Sequence, residues 1–144
     1  MVPTHRGDDV NGLMTDLAAE RVLDGLLGGR RVEPPAVVEV GLSLAPANAA
    51  GLVVEPAHPS YARAVVPNDA DHFPSAGNFG GIKSNARLIE FARPTGPWGL
   101  IKSVFVAEPG GPVVLMVDLG RPRRVDAAYP RVTIDPGSLA CRLY

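Results

Sequence analysis

Alternation of apolar and polar positions is the dominant pattern of this chain, and it predicts antiparallel β structure. Residues 36–44 carry valine or leucine at every second position with polar or small residues between them, as in a strand buried on one face. Further strand-like runs lie between proline- and glycine-rich turns, at residues 61–66, 87–91, 101–107, 113–119, 131–134 and 139–144. Short strands at this spacing are typical of a sandwich or a barrel.

Two of these runs flank a corner at Trp98-Gly99, and a Gly110-Gly111 turn follows the second run. The pattern of residues 84–111 is typical of consecutive strands in an antiparallel sheet. Residues 113–119 have valine, leucine or methionine on both faces, so a helix or another subunit is expected to cover the second face.

One segment, residues 15–27, has helical periodicity instead. The apolar residues that recur four positions apart are Ala18, Val22 and Leu26, with Ala19, Leu23 and Leu27 in the adjacent row. Thr15 or Asp16 can cap the start of this helix, and Gly28-Gly29 suits its end. The predicted fold is therefore mainly β, an antiparallel β-sandwich with one N-terminal α-helix.

The polar first residues show no periodicity, which predicts an N-terminal arm over residues 1–12. Residues 13–144 are predicted to form a single β-sandwich domain that includes the helix, because a chain of 144 residues has the common size of one domain. The stretch 68–81 is long for a loop in such a domain. Loops of this length usually bind something or are covered by a neighbour.

Composition changes the picture in two ways. The 16 glycines and 15 prolines indicate frequent turns, which favours strands over helical bundles. A net charge of −1 provides no basic surface for nucleic acid, so no nucleic-acid partner is predicted. The chain lacks both a long apolar run and an apolar core near its start, so neither a membrane span nor a signal peptide is expected, and synthesis as a soluble cytoplasmic protein is predicted.

No pattern of catalytic or metal-binding residues is present. The histidines His5, His58 and His72 are far apart and lack metal-clamp spacing. The oxygen-rich group at residues 68–72 could hold a calcium ion, but its residue types also form ordinary turns. The glycine-rich stretch 77–81 does not match a phosphate-binding loop. No cofactor, metal or enzymatic activity is therefore predicted.

Several remaining residues have a structural and a functional interpretation. The only cysteine, Cys141, is predicted to be a buried hydrophobe. The strand carboxylates Glu39, Glu90 and Asp118 could oppose each other as a hydrolase pair, and Glu90 and Asp118 are the two considered for that role. Trp98 either plugs the end of the core or stacks on a sugar or a neighbouring chain. Arg63 lies within a predicted strand and requires a carboxylate partner if it is buried or at an interface.

Around these residues, short motifs follow one another in a fixed order. They are the helix ending in Leu26-Leu27, the strand at 38–46, Tyr61-Ala62-Arg63, Ser84-Asn85, the Trp98-Gly99 corner, the Gly110-Gly111 hairpin and the turn at 135–139. This order resembles the small tail-fibre-like virion proteins of tailed bacteriophages, over about residues 13–139. The resemblance implies a non-enzymatic structural protein on the particle exterior, either a capsid-decoration (minor capsid) subunit or a tail-fibre-type subunit.

The resemblance also implies partners. Other virion proteins, such as the major capsid protein or tail proteins, are expected to bind the chain, a homo-oligomer is expected, and the protein should reside in the virion after synthesis in the host bacterial cytoplasm. The candidate interface or binding residues are Tyr61, Arg63, Phe79, Ile82 and Trp98. A short basic run, Arg121, Arg123 and Arg124, is predicted to be a solvated turn or an ion-pair site between subunits. The alternative is a carbohydrate-binding module in which Trp98, Tyr61 and residues 68–71 recognise host-surface glycans.

Overall fold

The computed structural model describes residues 12–142, except for the side chains of Asn78 and Phe79. The predicted arm lies outside the described residues apart from Gly12, which begins the first strand. Within this range the strands, in chain order, are β1 Gly12–Met14, β2 Val37–Ser43, β3 Ala64–Pro67, β4 Ile82–Ser84, β5 Ile89–Glu90, β6 Gly99–Ala107, β7 Val113–Val125, β8 Thr133–Ile134 and β9 Ala140–Arg142.

Five of these strands form one antiparallel sheet in the order β1-β7-β6-β2-β3. The β6–β7 hairpin is its centre, and a turn in which Gly110 has φ 61° closes the hairpin, as the Gly-Gly signal predicts. β4 pairs with β9 and β5 pairs with β8 in two small antiparallel ribbons. The main core joins side chains of the large sheet to Ile89, Ile134 and Leu139 of the ribbon regions. The antiparallel β-sandwich with one helix is confirmed.

The helix α1 spans Asp16–Leu26 and begins where the sequence predicts. The Thr15 hydroxyl accepts a hydrogen bond from the Ala18 amide and donates one to the Val113 carbonyl at 2.8 Å, so the same residue caps α1 and fastens it to β7. Ala18 is the buried residue of the helix, whereas Leu23 and Leu26 are exposed. The helix is thus attached mainly through its first turns.

A second, smaller core lies around Phe105, Ala107 and Met116, all fully buried. Residues from the stretch 45–56 pack against it, including Ala47 and Val53. Because Phe105 follows Val104 in β6, this cluster lies on the face of the sheet opposite the main core. The expectation that β2 is buried on one face only is therefore wrong: Gly41 and Ser43 are buried as well.

The extent and pairing of several strands differ from the prediction. The basic run at 121–124 is part of β7 rather than a turn. Residue pairing with β6 shifts from Ser103–Asp118 to Ile101–Arg123, so residues 119–122 bulge opposite Lys102 and accommodate Pro122. The Trp98 corner connects β5 to β6 across two different sheets, so these runs are not neighbouring strands.

Candidate functional site

Three of the predicted site residues, Tyr61, Arg63 and Trp98, lie in one cluster beside the edge of the large sheet. The rings of Tyr61 and Trp98 meet edge to face with centroids 5.3 Å apart. Trp98 is only 2% exposed, and its indole NH donates to the Ser60 hydroxyl at 2.8 Å. Trp98 therefore plugs the end of the core and presents no ring face to a ligand.

Tyr61 completes the hydrogen bonding of the sheet edge. The β2–β3 ladder ends at the pair Val40–Ala64, and the next outward-facing amide, that of Leu42, donates to the Tyr61 hydroxyl at 3.0 Å. The hydroxyl donates in turn to Glu55 Oε1 at 2.8 Å. Burial raises the pKa of Tyr61 well above its ordinary value, so the phenol keeps the proton that it donates.

Arg63 joins two carboxylates that come from different parts of the chain. Its Nε and Nη2 donate to the two oxygens of Glu55 at 2.9 and 3.0 Å, and its Nη1 donates to Glu39 Oε1 at 3.0 Å. The guanidinium carbon also lies 5.0 Å from the centre of the Phe105 ring. These contacts raise the pKa of Arg63, and its hydrogen bonds lower the pKa of Glu55. The carboxylate partner that the sequence requires for Arg63 is thus confirmed.

The hydrogen bonds and ion pairs of this cluster hold separate segments of the chain together. One guanidinium occupies both carboxylates, and Tyr61 already donates to Glu55. Among the described residues, every buried side-chain nitrogen or oxygen has a hydrogen-bond partner. Sequence reasoning missed Glu55 and Ser60, because they lie in the irregular, proline-rich stretch 45–60, where no periodicity marks them.

The other two candidates, Phe79 and Ile82, lie in a different region. Phe79 ends a short 3-10 helix, Ala76–Phe79, and its side chain lies outside the described part of the structure. Ile82 is half-buried at the start of β4 and pairs with Arg142. The five candidates therefore do not form a single site.

Residues considered for other chemistry have local structural partners. Asp69 Oδ1 accepts hydrogen bonds from the amide and the ring Nδ1 of His72, at 3.0 and 2.7 Å. Glu90 pairs with Arg131 at 3.2 Å, whereas Asp118, in the other sheet, accepts from the Ala47 amide at 2.7 Å. Within residues 12–142, no group of three or more His, Cys, Asp or Glu residues is placed to hold a metal ion. Cys141 is buried, as predicted.

A groove of about 780 Å³, which no sequence pattern predicted, lies beside the helix. It lies between α1 with residues 30–35 on one side and the β4–β9 ribbon on the other. Apolar side chains that line it include Ala18, Val22, Val32, Phe73, Val106 and Leu139. The sequence feature that could have indicated this groove is the apolar face of the helix, which is wider than the face that packs on the rest of the domain.

No helix in the described range is long and apolar enough to cross a bilayer. No curated protein matches the chain. A family model, described as podophage GP4 fiber I protein gp80, matches residues 13–142 and so spans nearly the whole described structure. Tyr61, Arg63 and Trp98 all lie within the match. The predicted resemblance is confirmed: the chain belongs to the podophage GP4 fiber I protein gp80 family and is a structural protein of the phage virion.

Proposed function

We propose that the protein is a non-enzymatic tail-fibre-type subunit, exposed on the exterior of a tailed-phage particle and assembled from several copies. The observation that carries this proposal is the family match, because the fibre family accounts for residues 13–142 rather than for one motif. That agreement favours a fibre-type subunit over a capsid-decoration subunit.

The cluster around Arg63 supports a structural role. Its polar groups bond to one another, and they connect the edge of the sheet to the second core through Phe105. Such a network keeps a domain rigid, which suits a subunit that must hold its shape in an assembly.

The carbohydrate-binding alternative gains no support from the same geometry. Trp98, its central residue, is buried against Tyr61. Asp69 is engaged with His72 in a local turn. No specific observation favours a glycan site, so we do not propose one.

The location can be tested on the particle itself. Purified virions would be dissociated into capsid shells and tail structures, and the protein in each fraction would be quantified by mass spectrometry against a known capsid protein and a known tail protein. We expect the protein to follow the tail fraction. Recovery with the shells, in a ratio that matches the capsid lattice, would contradict the fibre assignment and support decoration.

A further inference from the structure

We propose that the basic end of the β6–β7 hairpin binds the outward face of α1 from a second copy of this chain. The basic surface, which we call the basic patch, consists of Lys102, Arg121, Arg123 and Arg124. The acidic surface, which we call the acidic stripe, consists of Asp16, Glu20 and Asp24. The inference rests on the proposed assembly from several copies, and it names the surfaces through which those copies meet.

The basic patch lies in the second half of β7, where the strand bulges. Arg121, Arg123 and Arg124 are exposed, and Lys102 of β6, also exposed, lies opposite the bulge. Among the described residues, no ion pair joins any of these four cations to a carboxylate. Like charges in so small an area repel one another, so an anionic surface that docks there is attracted by all four.

Two carboxylates limit the basic patch along β7. Asp118 accepts a hydrogen bond from the Ala47 amide at 2.7 Å, and Asp126 accepts one from the Ala128 amide at 2.9 Å. The positive charge of β7 is therefore confined to the segment between them. A long polyanion, such as a charged polysaccharide, meets negative charge at both ends of this segment, so a short acidic surface is the better partner.

The partner is expected to present side chains rather than a further strand. β1 pairs with β7 only as far as Gly12–Val117, so no described strand covers the outer edge of β7 beyond that point. Pro122 has no amide hydrogen, and the bulge interrupts the regular spacing of the edge, so a strand cannot pair well there. A helix satisfies its backbone hydrogen bonds internally and can dock through its side chains alone.

The outward face of α1 carries the complementary charge. Asp16, Glu20 and Asp24 are exposed and recur every four residues, so they lie along one side of the helix over about 12 Å. Asp16 and Glu20 lie about 160° around the helix axis from the buried Ala18, so they point away from the domain. Of the three acidic residues, Asp24 has an ion-pair partner among the described residues, the exposed Arg30 at 3.9 Å.

The two surfaces also match in length and in apolar content. Residues 121–124 extend over about 10 Å of strand, close to the length of the acidic stripe. Leu23, which is 58% exposed, lies beside Glu20 on the helix, and the exposed Pro122 lies among the arginines. Exposed ion pairs are individually weak, so the charges select the partner and its orientation, and the apolar groups add affinity.

One subunit cannot bring its own two surfaces together. The Thr15 amide at the start of α1 donates to the Val114 carbonyl at 3.1 Å, and Arg21 of α1 pairs with Glu108 at 2.7 Å, next to the turn of the β6–β7 hairpin. The basic patch lies at the opposite, open end of this hairpin, and Arg121 is about 20 Å along β7 from Val114. An acidic stripe that contacts the basic patch must therefore belong to another copy.

The separation of charge within the chain favours a second copy over an unrelated acidic protein. The net charge is only −1, yet the basic patch holds 4 of the 14 lysines and arginines, and the acidic stripe lies at the other end of the hairpin. An unrelated acidic protein covers the patch but leaves the stripe exposed. A second copy uses both surfaces in a heterologous contact, which generates a closed ring when the rotation closes and a filament when it does not.

The first test measures association of the full chain by sedimentation velocity. Arg121→Glu with Arg123→Glu reverses charge in the basic patch, and Arg87→Glu with Arg93→Glu makes the same change of net charge at exposed positions outside both surfaces. All four side chains are exposed, so neither double variant should unfold the subunit. We expect the wild type and the control to form the same oligomer, and the patch variant to associate at least about tenfold more weakly.

Salt provides an independent measurement on the wild type. Raising the salt concentration from about 0.1 M to about 1 M reduces the Debye length from about 10 Å to about 3 Å. We expect association to weaken over this range, because the charges of both surfaces are exposed. An oligomer whose stability does not change with salt would overturn the inference.

The second test determines whether the basic patch contacts α1. Glu20→Lys with Asp24→Lys reverses charge in the acidic stripe and should also weaken association. Combining both double changes in one chain restores the complementarity and the net charge of the wild type, so we expect the oligomer to return. A fourfold variant that stays dissociated would overturn the inference, because the basic patch would then have a different acidic partner.

The two proposals fail in different ways. A wild type that is monomeric in solution at about 0.1 M salt but present in the tail fraction would overturn the patch-to-stripe contact and leave the fibre function intact. An oligomer that Arg121→Glu with Arg123→Glu leaves unchanged would do the same, and the arginines would then only protect the edge of β7 from pairing with other strands. Recovery with capsid shells would instead contradict the fibre function, whatever the variants show.

Discussion

At the scale of single residues, Arg63 connects more parts of the chain than any other side chain in the candidate site. It bonds to Glu55 in the irregular stretch, to Glu39 in β2, and it lies over Phe105 of the second core. All three charged side chains are about a quarter exposed, so water screens their attraction only in part. The free energy of unfolding is therefore expected to depend on the charge of Arg63.

Replacing Arg63 by methionine tests that sensitivity. We expect Arg63→Met to lower the free energy of unfolding by about 1–3 kcal/mol, because two half-buried carboxylates lose their charged partner. Arg131→Met is the control: its pair with Glu90 is 50% exposed on both sides, so the loss should stay below about 1 kcal/mol. Urea denaturation of both variants measures the difference, and equal losses would contradict a special role for Arg63.

The same ion pair predicts how stability depends on pH. Arg63 lowers the pKa of Glu55 below its ordinary value of 4.5 in the folded state. A carboxyl group of this kind binds its proton more readily in the unfolded chain, so its stabilising contribution is complete above the ordinary pKa and is lost as pH falls through the folded-state pKa.

We therefore expect the urea midpoint of the wild type to fall as pH decreases below about 5, and to fall less steeply in Glu55→Gln, which cannot titrate. Asp69, whose pKa His72 also lowers, contributes in the same direction, so Asp69→Asn serves as the comparison. Identical slopes for the wild type and Glu55→Gln would show that the Arg63 pair does not control acid stability.

At the scale of elements, β2 and β6 pack so closely that one glycine has no room for a side chain. A Cβ on Gly41 would contact the ring atoms of Phe105. That ring is fully buried under Arg63, so it cannot move aside without disturbing the second core. Gly41 is therefore required by packing rather than by an unusual backbone conformation.

Gly41→Ala is expected to destabilise the protein by about 1–3 kcal/mol through overpacking. Gly120→Ala is the matched control, because a Cβ there meets nothing within 4 Å and the change should stay within about 0.5 kcal/mol. Shifts in the urea midpoint at an unchanged slope would measure both effects. A neutral Gly41→Ala would mean that the Phe105 ring has space that the structure does not show.

These elements also explain what the sequence could predict. α1, β2, β6 and the first half of β7 are long enough for their periodicity to be recognised, and Thr15 marks the helix start. The predicted runs at 87–91, 131–134 and 139–144 contain the short strands β5, β8 and β9, whereas β1 and β4, of three residues each, were too short to be recognised. The second half of β7, beyond the bulge, could not be recognised as a strand from the sequence, because Pro122 and three arginines are typical of a turn.

Prediction of the candidate site reached a similar limit. A strand arginine implies a carboxylate partner, and the structure confirms one for Arg63. The identity of the partners depends on how the stretch 45–60 folds over the sheet, and hydrogen bonds such as that from Val54 to Ser43 specify this path. Sequence spacing contains no information on such contacts, so Glu55 was not identified.

At the scale of the whole molecule, the two cores share their strands. β2 contributes Val38 and Val40 to the main core, and Gly41 beneath Phe105 to the second, while β6 contributes Val104 and Phe105 to opposite faces. Neither core can lose its strands without exposing the other. We therefore propose that residues 13–144 form one cooperative domain.

Trp98 provides a direct test, because it is the only tryptophan and it plugs the main core. Its fluorescence, the far-UV circular dichroism of the strands and the amide exchange of residues around Phe105 should report one midpoint in thermal unfolding. The calorimetric enthalpy should equal the van't Hoff enthalpy, at about 100 kcal/mol for a chain of this length near 60 °C.

Gly41→Ala supplies the decisive comparison, since it perturbs only the second core directly. If the fluorescence midpoint of Trp98 falls together with the protection around Phe105, the two faces unfold as one unit. If the Trp98 midpoint stays unchanged while that protection is lost, the second core is a separate folding unit and the single-domain proposal is wrong.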